Sequence, residues 1–403
     1  MSTTPRTRRG HTALVAIVCL CCSTGCRAQP APVAPASQPL NPRLAEPPVN
    51  EWVAIHQQAP GDAVRFKRQE HGGSCFDTKR CRIVLLGSNT HGEDWTNSPL
   101  IFDIVAGSWT RLYDDDDKST YRAAGDDGIA VAGAAGDHPW AMHTFGAVQY
   151  DPRRDEMVVC SWPEHLKPGR FTDALADVWP TVKRHPTWTF IFQTNTWTPL
   201  PGKPQHFFPY ACVYDSDRDV IIGYGGHGIW ELAANTGGEP RVWTRVDPKS
   251  LCGYHNNAAY DSVNKALVVY GSHEKSDDVI VYRPATKEHR KMPTPGARPP
   301  KDQHTPMCFD PATGRTVVVV DRGGSTDHPE DGKAETWLYD LAADAWAQVP
   351  SATLPFGCGM NYNMHYDPRH RVCLLVTENF SKPGQPVTVY ALRVDLGELN
   401  EAR

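Results

Sequence analysis

Apolar residues in this chain come in short runs bounded by turn-forming residues, and the runs recur in a fixed order. An aromatic-Asp pair, a short turn and an apolar triplet occur as Phe76-Asp77 with Ile83-Val84-Leu85, and as Tyr150-Asp151 with Met157-Val158-Val159. The pair returns at Tyr214-Asp215, Tyr260-Asp261, Phe309-Asp310 and Tyr366-Asp367. Each copy predicts a tight hairpin: the Asp hydrogen-bonds the turn backbone, and the triplet is a strand buried on both faces. A further β-rich run follows each hairpin, such as Leu100-Ile101-Phe102-Asp103 or Thr336-Trp337-Leu338-Tyr339-Asp340. Then comes a strand that opens with Trp, at Trp109, Trp197, Trp243 and Trp346, with His289 in its place once. The repeating unit is four strands.

Closure can be read from the ends. The sixth copy stops at Val387-Thr388-Val389-Tyr390 without a Trp strand, while Trp52-Val53-Ala54-Ile55 precedes the first copy without a hairpin of its own. The N-terminal strand therefore completes the last unit. The fold class is all-β, a six-bladed propeller with four-stranded blades, because a closed ring leaves no long exposed sheet edge. The Trp residues are expected to wedge neighbouring blades as core, and the hairpin Asp residues to act as turn caps. Tyr214-Asp215-Ser216-Asp217-Arg218-Asp219-Val220-Ile221-Ile222-Gly223-Tyr224-Gly225-Gly226, followed by Trp243, resembles the kelch repeat. The resemblance to this kelch-like, galactose oxidase-like superfamily covers residues 50–396, although only the third copy keeps the double glycine.

Composition agrees with a loop-rich β protein. The 403 residues include 32 Gly and 35 Pro, too many breakers for a helical bundle, and 9% aromatic residues, too many for a disordered chain. A formal net charge of -5 gives nucleic acid no basic surface to bind.

The N-terminus reads as an address. Arg6, Arg8 and Arg9 precede an apolar run at 13–22, too short to span a bilayer, so residues 1–26 are expected to be a signal peptide. Ser23-Thr24-Gly25-Cys26 resembles a bacterial lipobox, in which Cys26 is lipidated, though Ser23 stands where Leu is usual. Lipidation implies a cell-envelope protein whose membrane contact is its lipid anchor; cleavage nearby implies a soluble periplasmic or extracellular one. Residues 27–49 carry seven Pro and read as an extended linker, leaving 50–403 as the propeller.

In a propeller, the starts of first strands and the ends of second strands share one face, here called the mouth. Two long insertions, at 113–142 and 161–186, belong to it and are expected to form a wall. The first holds the acidic run Asp114 to Asp117, which lacks the alternating spacing of a calcium loop. The second predicts a short helix at 173–179, capped by Thr172 and stopped by Pro180.

Six residues before the hairpin Asp stand His71, Phe145, Pro209, His255, His304 and Asn361, with His143 close by. Second strands end near His91, His227, His273, Arg322 and Glu378. These polar residues are the candidate ligand-binding set. Imidazoles converging on an axis suit a transition metal, with His71, His255 and His304 as candidate ligands; the same residues would also line a wet channel mouth. Cys75 and Cys81 flank one hairpin at a separation compatible with a cross-strand disulfide, and Cys160, Cys212, Cys308 and Cys373 read as small apolar core residues. Cys252 and Cys358 begin an internal echo, Cys-Gly-aromatic or Met-His or Asn, at two strand starts.

The expected function is a binding module whose mouth holds a carbohydrate or a protein, with Trp140, Trp162 and Trp179 as candidate anchors for a protein. The alternative is a sugar-active enzyme, an epimerase or lyase on an acidic sugar. That alternative is similar in type to propeller enzymes with six blades or His-rich metal sites, but no matching motif is present.

Overall fold

The computed structural model describes residues 40–401, apart from 63, 65, 67–70, 93, 203–205, 226–227, 234–239, 252, 273–276, 303–304, 323–331, 358–362 and 378–385. His227, His273, His304, Asn361 and Glu378 lie outside the described residues, as do Cys26, Cys252 and Cys358.

The hairpins form as the repeat predicts. The Lys79 and Arg80 amides donate to Asp77 Oδ1 at 3.1 and 3.0 Å, and the same two-amide cap recurs at Asp151, Asp215, Asp261 and Asp367. Asp310 accepts from the Ala312 amide at 2.9 Å. Each turn closes through a residue with left-handed backbone: Cys81, Asp155, Asp219, Lys265, Gly314 and Arg371, with φ between 53° and 69°. This turn shape matches the right-handed twist of the strands it joins.

Six four-stranded antiparallel sheets result among the described residues. Their inner strands are Gly73–Asp77, Val148–Asp151, Ala211–Asp215, Asn257–Asp261, Met307–Asp310 and Asn363–Asp367, each touching the next and the last touching the first. They surround an axial cavity of about 400 Å³. Closure is made by Val53–Gln57, which pairs antiparallel with Thr388–Leu392 as the outer strand of blade 6.

The outer-strand aromatics are interblade core. Trp109, Trp197 and Trp346 lie directly opposite Phe102, Phe190 and Tyr339 in register, with ring centroids 4.9 to 5.0 Å apart. Trp52 Nε1 donates to Thr336 Oγ1 of blade 5 at 2.8 Å, and Trp243 Nε1 to Thr187 Oγ1 of blade 2 at 2.8 Å. On the face opposite the mouth, Arg80 makes a two-point ion pair with Asp155 of the next blade, at 2.6 Å for each contact. Arg154 repeats the pairing with Asp219. The Arg80 guanidinium holds the Asp155 carboxyl well below the usual carboxylate range.

Three expectations are corrected. The folded body begins at Leu40 rather than at residue 50: Leu44 is buried in the core between blades 6 and 1, and Asn41 binds the Ile104 carbonyl and His370. Residues 173–179 form successive turns and a 3-10 segment, Trp179–Thr181, instead of an α-helix. The Thr172 cap is present, its Oγ1 accepting from the Ala174 amide at 3.1 Å, and Leu175 is buried in the wall, but the bonds that follow are mostly i→i+3 with a single i→i+4 bond from the Trp179 amide to the Leu175 carbonyl. Cys75 and Cys81 are free thiols. Cys75 faces the core between blades 1 and 2, whereas Cys81 is the left-handed turn residue and faces blade 6, its Sγ 3.3 Å from Asp367 Oδ2. Opposite faces of one sheet cannot be bridged by a disulfide.

Trp52 tests the closure. Trp52→Ala removes a buried indole and its hydrogen bond across blades and is expected to lower unfolding free energy by ~3–5 kcal/mol, whereas Trp52→Phe should cost about 1 kcal/mol. Urea unfolding of both variants checks the order; a Trp52→Phe variant as stable as the wild type would show that the bond to Thr336 contributes nothing.

Candidate metal centre at the propeller mouth

The two long insertions pack on each other and make the wall. A hairpin of Arg122–Ala124 and Ile129–Val131 from the first is bound to the second, where the Lys183 and Arg184 amides donate to the Gly128 carbonyl. Tyr121, Ala130, Trp140, Leu166 and Leu175 form a satellite core between them. Of the three candidate anchors, Trp140 and Trp162 are buried, 2% and 8% exposed, while Trp179 is half-buried and packs against both. The acidic run is consumed locally: Asp115 accepts from the Asn97 and Ser98 amides, Asp116 contacts His138 Nδ1 at 2.8 Å, and Asp117 caps Ser119.

Beside this wall, four histidines from blades 1 and 2 meet. His71 precedes the first inner strand and has left-handed backbone, φ 65°. The equivalent positions in blades 2 and 4, Phe145 and His255, share that conformation at 44° and 62°. The shared kink turns each chain sharply as it enters its inner strand. His71 is tied to blade 2 because its carbonyl accepts from the Thr144 and Phe145 amides, at 2.8 and 3.2 Å. Thr144 Oγ1 in turn accepts from the Gly73 amide at 2.6 Å, and a Cβ on Gly73 would collide with the Phe145 carbonyl. Only glycine permits this approach. His143 lies just before that knot, its carbonyl held by Ser161 Oγ at 2.5 Å. His91 lies on the 3-10 turn Thr90–Gly92, and His165 on its counterpart Glu164–Leu166 in blade 2.

The ring centroids are close: His71 to His143 4.1 Å, His143 to His165 3.8 Å, His91 to His143 4.6 Å, His91 to His165 4.5 Å, and His71 to His91 4.9 Å. One ring nitrogen from each of His71, His91 and His143 lies within 4.8 Å of the others. Nitrogens bound at about 2.0–2.1 Å to a tetrahedral ion stand about 3.4 Å apart, so small ring rotations would complete such a site. His71, His143 and His165 are buried, while His91 is open to solvent and leaves a path to the centre.

Burial keeps these imidazoles neutral, which is the form that binds metal. His71 is pushed down to about 2, by burial first and then by the neighbouring imidazoles, and His165 to about 3, by burial and then by His91 and Arg170. His143 falls well below its ordinary value, and His91 falls through burial and the Arg170 charge. His143 Nε2 and His165 Nδ1 are buried without a hydrogen-bond partner among the described residues. Orphaned lone pairs or N–H groups of this kind are expensive, and a bound ion is one way of satisfying them.

Of the predicted residues, then, the structure brings together His71, His143 and His91. His255 is set in an aromatic group, 3.8 Å from Tyr254, 4.9 Å from Tyr210 and 5.5 Å from Phe145 by ring centroids, and its charge also bears on His71 and His165. His304 of the expected ligand trio lies outside the described residues; among the described residues it is His91 and His143 that stand beside His71. Arg322 pairs with Glu335 within blade 5 and is not part of the cluster. His165 was missed, although His91 and His165 both stand fourteen positions beyond their hairpin aspartates, Asp77 and Asp151. That shared offset was the available signal.

A second group, Cys81, Asp367 and His370, lies on the other side of blade 1. It is already satisfied. His370 Nδ1 contacts Asp367 at 2.5 Å and Nε2 accepts from the Asn41 amide at 3.0 Å, so it clasps the N-terminal segment and has no free lone pair for chemistry.

No family profile and no curated protein matches the chain. Among solved structures, a fungal alcohol oxidase of the AA5 family, in complex with copper, matches with a TM-score of 0.46 and 11% identity. The match covers 80% of this chain and 62% of that one, so the chain spans less than two thirds of that protein.

The neutral histidines set an acid dependence. The unfolded chain protonates these imidazoles near pH 6.5, whereas the folded one resists until about pH 3 or below, so the unfolded state binds more protons in that window. Stability of the metal-free protein is therefore expected to fall as pH drops from 6.5 towards 3. Replacing His143 by Gln should flatten the slope by at most about 1.4 kcal/mol per pH unit. Urea midpoints measured between pH 7 and pH 4 read this directly, and an unchanged slope would mean that His143 is protonated in the fold.

Proposed function

We propose that this protein binds a carbohydrate at the propeller mouth, using a divalent transition metal held by His71, His91 and His143 with His165 beside them. The observation that carries the reading is the convergence of four imidazoles, three of them buried and the fourth open to solvent, at the mouth of a rigid ring. Imidazole nitrogen suits Zn, Cu, Ni and Fe. Bound there, such an ion would supply a Lewis-acidic contact for a hydroxyl or carboxylate oxygen.

The surroundings support a sugar. Phe171 and Tyr254 are exposed large aromatics of this region, at 48% and 43%, and each packs at about 30° against a histidine, on His91 at 4.1 Å and on His255 at 3.8 Å. Rings backed in this way offer rigid apolar plates for the C–H face of a pyranose. Arg170 lies over Phe171 at 5.6 Å and pairs with Glu164 at 2.9 Å, placing a cation at the rim. That cation favours an acidic sugar, and with it the second reading, an epimerase or lyase acting on one. An exported chain, anchored through a lipid on Cys26 and reaching glycans from the cell envelope, completes the proposal.

Elemental analysis of the purified chain tests the metal. Near-stoichiometric transition metal in the wild type, lost in a His71→Ala, His143→Ala variant that keeps its β-sheet circular dichroism, is the expected result. Metal-free protein after equilibration with Zn²⁺, Cu²⁺ and Ni²⁺ would overturn the centre. A glycan array run with and without chelator then tests the ligand. Phe171→Ala should weaken sugar binding at least tenfold while leaving metal content unchanged, and conversion of an acidic oligosaccharide, followed by NMR, would favour the enzyme.

A further inference from the structure

The structure pairs cysteines that the sequence left as separate core residues. Cys160 follows the second strand of blade 2, and Cys212 lies on the inner strand of blade 3. Their sulfurs are 3.9 Å apart, and both side chains are buried in the same core between the two blades. Each is also pinned to one short stretch of blade 2. The Cys160 amide donates to the Ala147 carbonyl at 3.0 Å, and the Cys212 carbonyl accepts from Gln149 Nε2 at 2.9 Å.

We propose that Cys160 and Cys212 form a disulfide that joins blade 2 to blade 3 beneath the mouth. The sulfurs are in van der Waals contact, and a bond requires them to approach by about 2 Å, within the range of side-chain rotation. The same arrangement occurs at a second seam. Cys308 of blade 5 and Cys373 of blade 6 share one core, and the hydrogen bond between their thiols, together with burial, raises the Cys373 thiol well above its ordinary value. Cysteine is a small apolar core residue anywhere; facing pairs across blade seams are a pattern that packing alone does not demand.

The chemistry is thiol–disulfide exchange with a small-molecule disulfide as oxidant. Cys212 lines the axial cavity and so meets the oxidant first. Its thiolate attacks one sulfur, breaking the oxidant's S–S bond, forming a mixed disulfide and releasing one thiolate. The Cys160 thiolate then attacks the Cys212 sulfur and releases the second. Two protein thiols are oxidised, one small disulfide is reduced to two thiols, and the protein's two protons pass to the departing thiolates. Burial raises the Cys212 thiol well above its ordinary value, so exchange in the folded chain is slow and the bridge closes most readily during folding.

The bridge acts on the mouth. Ser161, next to Cys160, holds the His143 carbonyl, and the 3-10 turn Phe145–Ala147 rests on the Cys160 amide, which a bridge leaves in place. Fixing this seam fixes the chain that carries His143. It also closes a loop across 52 positions, which restricts the unfolded chain.

The test uses the full chain, unfolded and reduced, then refolded for hours in a buffer of reduced and oxidised glutathione, alkylated, and mapped by mass spectrometry without reduction. A linked peptide containing Cys160 and Cys212, two hydrogens lighter than its separate parts, is expected, with a higher thermal midpoint than the reduced protein. Alkylation of both residues in protein that has regained its β-sheet circular dichroism would overturn the proposal. Cys160→Ala should leave Cys212 free or glutathionylated, and Cys75→Ala should leave the bridge intact. Pairing of Cys212 with any other cysteine would also overturn it.

Discussion

Val53–Gln57 completes a sheet whose other three strands come from the end of the chain, and the ring is shut by that pairing. The constraint is geometric: six twisted sheets packed around an axis leave a gap unless the last blade is finished by the chain's beginning. Trp52 secures it by entering the core of blades 4 to 6 and hydrogen-bonding Thr336. Once the ring is closed, the inner strands cannot move apart, and the six places where the chain enters them converge. The left-handed backbone at His71, Phe145 and His255 is held by that closure, because bulky residues do not adopt it without surrounding support.

The histidine cluster follows from one seam of this ring. Gly73 lets blade 1 approach the Phe145 carbonyl, the His71 carbonyl binds two amides of blade 2, and Ser161 fixes the carbonyl of His143. Three rings are thereby stacked, with His91 set at an angle to them, by the backbone beneath them rather than by attraction for one another. Neutral imidazoles tolerate this; charged ones would repel, and burial already opposes their protonation. The wall from the two insertions excludes water on one side, while His91, Phe171 and Arg170 leave the other side open.

The opposite face is built on another principle. Its hairpins are joined by paired charges, Arg80 with Asp155 and Arg154 with Asp219, and by the clasp of Asn41 on His370. There these charges are paired, although Arg369 Nη1 and Arg393 Nε are buried without a partner among the described residues. At the mouth His143 Nε2 and His165 Nδ1 likewise have no partner among the described residues.

The sequence by itself determined the blade count, the closing strand, the turn caps and the face on which the insertions lie. These are local properties, written in the two-residue period of strands and in turn chemistry that repeats with the unit. It also placed His71, His91 and His143 at the mouth, since their distance from each hairpin Asp fixes their height along a strand. It did not choose among mouth residues, because height says nothing of which blades bring their rings into contact; His255 was grouped with His71, and His165 was overlooked. The cysteines show the same limit. Cys75 and Cys81 are near in sequence yet lie on opposite faces of one sheet, while Cys160 and Cys212, 52 positions apart, touch across a seam. Contacts between blades depend on how sheets pack, and only the closed ring decides them.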